Sequence, residues 1–225
     1  MKHNDKFRKH KPLIVGTLKY LKTLADLKTP PCDLVEVRVD LLSAKDFKGF
    51  PDLIQKIKLP LLLTFRGKIE GGASEWSFRK RLLFLIKYSR YAQAIDLESR
   101  YACLAKLEIK TLKRNNVRLI LSSHFFKQTP TFQSLNEMAL EAFACGADIF
   151  KVASFLSSAT DEITLHALLG AHKSGSVAVM GMGPLGSSSR IRLGLAGSTL
   201  VYGYIDQPLV LGQVPMTTLL KSFNS

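Results

Sequence analysis

Eight strand-like runs recur along the chain at nearly even intervals, and this recurrence constrains the fold more than any other feature of the sequence. Each run is short and rich in Val, Ile, Leu and Phe, a composition typical of buried strands. Polar or turn-forming residues bound most of the runs. The runs cover residues 13–18, 34–40, 61–66, 94–98, 117–124, 147–153, 177–182 and 200–205.

Helix-compatible segments separate most of these runs. They cover residues 77–91, 100–115, 133–145, 161–172 and 214–223. Strands that alternate with helices predict a parallel sheet, and roughly 26 residues per strand–helix unit suits an eight-stranded barrel. We therefore predict an α/β fold, a parallel (β/α)8 TIM barrel, formed by a single domain over residues 12–225 after a basic N-terminal tail over residues 1–11.

The side-chain pattern of the second run favours a closed barrel over an open sheet. Its three valines share one face, while Glu36, Arg38 and Asp40 share the other, because side chains alternate along a strand. An open sheet covered by helices would be apolar on both faces, whereas the inner face of a barrel is polar near the mouth that holds the site. Later runs also end in ionisable residues, which we expect to converge on one rim: Arg66, Asp96, Glu98, His124 and Lys151.

The sixth run carries a single lysine, Lys151, on the same face as Ile149 and Ala153 and opposite Phe150 and Val152. Burial among apolar side chains disfavours the charged ammonium, and the neutral amine is the form that attacks a carbonyl carbon. Lys151 is therefore a candidate nucleophile. The alternative is a lysine that extends its head group to water at the end of the strand.

His124 ends the run before the one that carries Lys151. A neutral imidazole is the usual base near neutral pH, so His124 is a candidate general base, although a lone histidine at a strand end is more often structural. The other histidines lie in the tail or in helix-compatible segments and lack the spacing of metal ligands. We predict neither a metal site nor another cofactor.

Three glycines, Gly181, Gly183 and Gly186, match the G-x-G-x-x-G pattern of dinucleotide-binding loops, and Asp206 lies at the end of a later run. Too few residues follow Asp206 for the further strands of such a fold. We favour a glycine-rich anion cradle closed by Arg190, whose guanidinium can bind a carboxylate through two N–H groups. Dinucleotide binding remains the alternative.

The net charge of +14, from 32 Lys and Arg against 18 Asp and Glu, is compatible with a nucleic-acid partner, with a small anionic substrate or with a generally basic proteome. The basic residues are spread along the chain and no base-stacking motif accompanies them. This pattern disfavours nucleic acid, and we expect no nucleic-acid partner.

The cysteines and the apolar runs indicate the cellular compartment of the protein. Cys32, Cys103 and Cys145 are far apart and form no C-x-x-C pair, so we interpret them as small core residues rather than disulfide or metal-binding residues. No apolar run approaches the ~20 residues of a membrane helix, and the basic start is not followed by a signal-peptide pattern. We expect a cytoplasmic protein without a membrane partner.

Together these residues resemble the type I 3-dehydroquinate dehydratases, the Schiff-base dehydratases of the shikimate pathway. The resemblance runs from residue 13 to about residue 218 and implies an eight-stranded α/β barrel, often dimeric and in some lineages fused to shikimate dehydrogenase. Its motifs are EVRVD at 36–40, TFRGKIEGG at 64–72, DLE at 96–98, SSH at 122–124, DIFK at 148–151, MGM at 180–182, SR at 189–190, GS at 197–198 and GQ at 212–213.

The resemblance also implies a role for each matching residue in the dehydration of 3-dehydroquinate to 3-dehydroshikimate. Lys151 matches the Schiff-base lysine, His124 the general acid and base, and Glu70 the acid that orients His124. The matching substrate-binding positions are Glu36, Arg38 and Arg66 for the ring hydroxyls, Arg190 and Gln213 for the carboxylate, and Met182 and Tyr202 for the walls of the site.

The sequence departs from the family pattern at one loop, and it leaves two other functions to consider. Leu209 and Leu211 stand where the closing loop of the family usually carries a serine and a proline, which predicts one lost hydroxyl contact to the substrate. A Schiff-base barrel aldolase acting on a sugar phosphate or keto acid would share the lysine, but Arg190 favours a carboxylate. A non-catalytic nucleic-acid-binding module is disfavoured by the inward-facing acids, which would repel phosphate.

Overall fold

The computed structural model describes residues 11–27 and 32–224, in which strands and helices alternate. Residues 1–10 of the predicted basic tail lie outside the described residues. The strands are β1 (Leu13–Leu18), β2 (Leu34–Arg38), β3 (Leu61–Thr64), β4 (Ala94–Glu98), β5 (Arg118–Phe125), β6 (Ile149–Phe155), β7 (Val177–Met182), β8 (Leu200–Tyr204) and β9 (Val214–Pro215).

Three of the α-helices begin at a hydroxyl residue that caps the first turn. Ser43, Ser77 and Thr131 each accept a hydrogen bond from a backbone N–H three residues further along, which satisfies a group that the helix itself leaves unpaired. No described helix combines the length and apolarity needed to cross a membrane. The helices are α1 (Leu21–Asp26), α2 (Ala44–Lys56), α3 (Phe78–Tyr88), α4 (Lys106–Arg114), α5 (Phe132–Ala144), α6 (Ala159–Ala171), α7 (Gly186–Leu195) and α8 (Met216–Asn224).

The strands pair in parallel in the order β7-β6-β5-β4-β3-β2-β1-β8-β9. Strands β7 and β8 then meet across the remaining gap. The Thr199 N–H donates to the Val177 carbonyl at 2.9 Å, and the Ser198 hydroxyl accepts from the N–H of Val179 at 2.9 Å. These contacts close eight strands into the predicted barrel, while β9 pairs with the last two residues of β8.

Apolar side chains form one layer inside the barrel and another between the strands and the helices. Ile149 and Ala153 belong to the inner layer, whereas Phe150 and Val152 belong to the outer one. The alternation predicted for β6 is therefore confirmed, and Lys151 lies on the inner face. Because bulky aliphatic residues fill the barrel interior below it, the polar residues are confined to one end.

The boundaries of several elements differ from those predicted, and those of β6, β3 and α8 have a clear cause or consequence. Gly146, with φ of 97°, ends α5 in the left-handed conformation, and Ala147 still bonds back to the carbonyl of Ala142. Strand β6 therefore begins two residues late, and Lys151 lies in its middle rather than near its end. Strand β3 stops at Thr64, so Arg66 follows the strand. The predicted helix at 214–223 begins at Met216 because the preceding two residues pair with β8.

Candidate active site

One cavity gathers all the residues that were assigned a role from the sequence. The space between its walls, including the part open to solvent, is about 540 Å³. It lies at the end of the barrel where the strands finish, as expected for this fold. Its walls include Lys151, His124, Glu70, Glu36, Arg38, Arg66, Arg190, Gln213, Met182 and Tyr202.

Lys151 is buried in this cavity and paired with a carboxylate, Asp96, that was predicted to lie on the same rim but was given no role. Only 3% of the residue is exposed, which excludes the alternative of a lysine extending to water. Its Nζ lies 2.8 Å from Oδ2 of Asp96 on β4 and 4.2 Å from the centre of the Tyr202 ring. The two contacts place the Lys151 head group between a carboxylate and an aromatic face.

Asp96 connects Lys151 to Arg66. Its other oxygen, Oδ1, accepts from Nη2 of Arg66 at 2.7 Å. Burial acts to raise the pKa of Asp96, but the charges of Arg66 and Lys151 outweigh burial and lower that pKa to about 2. Asp96 is therefore ionised at any pH near neutrality and offers a fixed negative charge beside the lysine.

Glu70 reaches the cavity through a tight turn that is followed by two glycines. A short 3-10 turn, Lys68–Glu70, ends at Gly71, whose φ of 75° requires the left-handed conformation. A Cβ on Gly72 would stand 2.2 Å from the carbonyl oxygen of Arg66, so this close approach also requires glycine. The turn leaves Glu70 only 3% exposed.

The two oxygens of Glu70 have different partners. Oε2 lies 3.0 Å from Nδ1 of His124 and 3.3 Å from Nη1 of Arg66. Oε1 accepts from Nε of Arg100 at 3.1 Å. Arg100, in the 3-10 segment Ser99–Ala105 after β4, was not a predicted site residue, since nothing in its sequence surroundings distinguishes it from an ordinary loop arginine.

Burial sets the protonation of the Glu70–His124 pair. It raises the pKa of Glu70 to about 7, against the opposing charge of Arg66. Burial, together with the nearby charges of Arg66 and Lys151, holds the pKa of His124 well below its usual value. The imidazole is therefore neutral near pH 7. Because Nδ1 faces Glu70, Nε2 is the nitrogen left for a ligand.

The residues matched to the ring hydroxyls are already held by protein groups. Glu36 accepts from the Thr64 hydroxyl at 2.7 Å. Arg38 donates to both oxygens of Asp40, at 2.9 and 2.7 Å. These contacts fix the orientation of both side chains before a ligand arrives, which lowers the entropy lost on binding.

Arg190 and Gln213 lie on the part of the rim formed by α7 and the loop before β9. Arg190, on α7, is 2% exposed and donates to the backbone carbonyls of Gly212 and Tyr202 at 3.1 and 3.2 Å. Burial lowers its pKa to about 10. Gln213 donates to the Thr17 hydroxyl and accepts from the Leu209 N–H, both at 2.8 Å.

The glycine-rich loop after β7 is not the anion cradle that the sequence suggested. The N–H groups of Gly183 and Gly186 are occupied by the carbonyls of Leu211 and Gly183, at 3.1 and 2.9 Å. A Cβ on Gly212 would stand 2.5 Å from the Gly183 carbonyl oxygen. The glycines thus let the loop after β7 pack closely against the loop that contains Gly212. This packing requires glycines at the spacing that also occurs in dinucleotide-binding motifs.

The sequence comparisons agree on one family. The chain matches the family described as Type I 3-dehydroquinase over residues 13–225. A 3-dehydroquinate dehydratase of Methanosarcina barkeri is 35% identical over 184 residues, covering 77% of this chain and 76% of the relative. One of Enterococcus faecalis is 31% identical over 214 residues, covering 87% and 84%. A bifunctional 3-dehydroquinate dehydratase/shikimate dehydrogenase of Arabidopsis thaliana is 32% identical over 198 residues, 32% of its own length.

Solved structures of the same kind share the fold. The 3-dehydroquinate dehydratase of Enterococcus faecalis superposes with a TM-score of 0.81 at 26% identity, covering 96% of this chain and 94% of that one. The type I enzyme of Clostridium difficile superposes with a TM-score of 0.85 at 22% identity, covering 96% and 92%. The predicted (β/α)8 barrel is confirmed.

Proposed function

The chain belongs to the type I 3-dehydroquinase family and dehydrates 3-dehydroquinate in the shikimate pathway, and we propose that it does so through a Schiff base on Lys151. The observation that carries the proposal is the meeting of a buried amine and a neutral imidazole in one small cavity. Asp96 and Glu70 each hold one of these two groups in place.

In the first stage, the Lys151 amine attacks the C3 ketone of the substrate. The ammonium must first lose a proton, and the neutral His124 is the nearby base that can take it. The resulting carbinolamine loses water and leaves an iminium. This cation takes the place of the ammonium beside Asp96. Arg66 stays bound to Asp96 throughout, so the buried carboxylate is not left without a positive partner while the amine is neutral, which would be costly.

In the second stage, the iminium withdraws electrons and makes the C2 proton more acidic. Nε2 of His124 takes this proton, while the Glu70 carboxylate accepts the Nδ1 hydrogen and stabilises the imidazolium. The electron pair left at C2 forms the new double bond to C1, and the C1 hydroxyl leaves as water with the proton that His124 returns. A base of this kind contributes roughly 10²–10⁴-fold in rate, and the imine supplies much of the remainder. Hydrolysis of the imine frees Lys151 and 3-dehydroshikimate.

Substrate binding follows from the charges around the cavity. Arg190 is buried and, within the described part of the chain, its bonds go to backbone carbonyls rather than to a carboxylate. Its uncompensated charge fits the substrate carboxylate, with Gln213 beside it. Glu36, Arg38 and Arg66 bind the ring hydroxyls, and Met182 and Tyr202 form the walls. Leu209 also lines the cavity and offers no hydroxyl from the closing loop.

An aldolase acting on a sugar phosphate is the second candidate, and the loop after β7 disfavours it. Phosphate sites in barrels use free backbone N–H groups in this region, whereas those of Gly183 and Gly186 are occupied. The deciding assay offers 3-dehydroquinate beside a panel of sugar phosphates and keto acids. We expect that 3-dehydroquinate is turned over and that no member of the panel is. The absorbance of the conjugated enone product monitors the reaction. Turnover of a panel member without 3-dehydroquinate turnover would reverse the assignment.

A further inference from the structure

Two of the three cysteines meet at the surface of the barrel, contrary to their interpretation as separate core residues. Cys103 is exposed and Cys145 is half-buried. Their Sγ atoms lie 3.0 Å apart although 42 positions separate the residues in sequence. Cys103 belongs to the 3-10 segment Ser99–Ala105, and Cys145 caps the C-terminal end of α5. The contact therefore joins the loop after β4 to the helix before β6.

We propose that Cys103 and Cys145 form a dithiol site that closes to an intramolecular disulfide by exchange with a small-molecule disulfide. The Cys103 thiolate attacks one sulfur of the small disulfide, forming a mixed disulfide and releasing one small thiol. The Cys145 thiolate then attacks the Cys103 sulfur and releases the second small thiol. The protein loses two hydrogens, and the small disulfide is reduced to two thiols that carry the two protons.

The surroundings assign the order of the two steps. Cys103 is the thiol that a small disulfide can reach, because Cys145 is partly covered. Burial and the contact with Cys103 raise the pKa of Cys145 to about 11, so Cys145 is a poor first nucleophile. Once Cys103 carries the mixed disulfide, the closeness of Cys145 makes the second step intramolecular, which offsets its low thiolate fraction.

The disulfide would restrain the segment Ser99–Ala105, which contacts Glu70 and the neighbour of His124. Three residues before Cys103, Arg100 binds Glu70 at 3.1 Å. Next to it, the Ser99 hydroxyl lies 2.6 Å from that of Ser123, the neighbour of His124 in β5. Because the two sulfurs already touch, closing the bond moves this segment little. We therefore expect the oxidised protein to remain active and to resist unfolding better than the reduced protein.

The test exposes fully reduced protein to oxidised glutathione and measures mass without reductant. In the wild-type chain we expect a loss of two hydrogens and a linked peptide pair containing Cys103 and Cys145. In Cys145→Ser, glutathione should remain on Cys103 as a stable adduct, and in Cys103→Ser the linked pair should be absent. The matched control is Cys32→Ser, since Cys32 is half-buried elsewhere and bonds to the carbonyl of Leu34; it should form the disulfide like the wild type.

Unfolding in urea provides the second measurement. Oxidation should raise the urea midpoint of the wild-type chain and of Cys32→Ser, and leave the midpoints of the other two variants unchanged. A stable glutathione adduct on Cys103 of the wild type without the internal disulfide would overturn the proposal. So would a link between two chains, or a disulfide that lowers the midpoint. None of these outcomes depends on turnover of 3-dehydroquinate, so the dithiol site and the proposed mechanism can fail separately.

Discussion

Replacing Glu70 by glutamine should make the protein more stable at alkaline pH while it impairs catalysis. The pKa of Glu70 is raised from 4.5 to about 7 by burial, so the folded state binds this proton more tightly than the unfolded state does. A carboxyl of this kind loses folding stability as pH rises through the interval between the two pKa values. Each pKa unit is worth about 1.4 kcal/mol, so the wild-type chain should lose at most roughly 3 kcal/mol between pH 4.5 and pH 8 through this group.

The measurement is urea unfolding of the wild type and Glu70→Gln at pH 5 and at pH 8. The variant lacks the titration, so its stability relative to the wild type should increase by on the order of 2–3 kcal/mol between the two pH values. Comparing the two pH values removes any constant effect of the amide on packing. Glu75→Gln is the matched control in the same loop, because Glu75 is exposed and its ion pair with Lys68 lowers its pKa; it should show no such gain.

The opposite result would refute the reasoning about this pair. If Glu70→Gln becomes less stable relative to the wild type at pH 8 than at pH 5, ionised Glu70 stabilises the fold, and the charges of Arg66 and Arg100 outweigh burial. The raised pKa of Glu70 indicates that burial dominates. The variant should then combine higher stability at alkaline pH with a lower kcat, because the buried carboxylate that orients His124 also destabilises the fold.

Three further substitutions test the neighbours of this pair. Arg100→Ala should raise the pKa of Glu70 further, since Arg100 opposes the rise, and should move the acid limb of the kcat/KM profile to higher pH, whereas Arg79→Ala, at an exposed position of α3, should not. Asp96→Asn leaves Lys151 and Arg66 without their carboxylate and should lower the free energy of unfolding by about 3–5 kcal/mol in a urea titration; a loss below about 1 kcal/mol would contradict this. Tyr202→Phe removes a buried hydroxyl that has no hydrogen-bond partner in the described part of the chain and should raise that free energy by about 1–3 kcal/mol, with destabilisation as the contrary outcome.

The fold could be predicted because strand-like runs and helix-compatible segments alternate along the chain. The alternation around Lys151 assigned Ile149 and Ala153 to the barrel interior, and the structure agrees. Helices α1, α2 and α7 were not predicted. Helix α1 is only six residues long, and the other two carry residues that normally interrupt a helix. Pro51 lies inside α2, and α7 begins and nearly ends with glycine. Tertiary packing overrides these local preferences.

Only the site residues in or near the ends of strands could be predicted from the order of the strands. Lys151 and His124 lie on neighbouring strands, so their proximity follows from the order of the sheet. The pairing of Lys151 with Asp96 spans 55 positions in sequence and two strand steps in the barrel, and it depends on which acid points inward at the same height. Arg100 and the contact between Cys103 and Cys145 depend on the path of an irregular segment, for which the sequence carries no periodic signal.

Borohydride trapping determines whether the reaction passes through a Schiff base on Lys151. Reduction in the presence of 3-dehydroquinate should attach the substrate covalently to the peptide that contains Lys151. Lys151→Ala should give no adduct and no turnover, whereas His124→Ala should still give the adduct while barely turning over. An adduct on a different lysine, or turnover that survives in Lys151→Ala, would contradict the proposed mechanism.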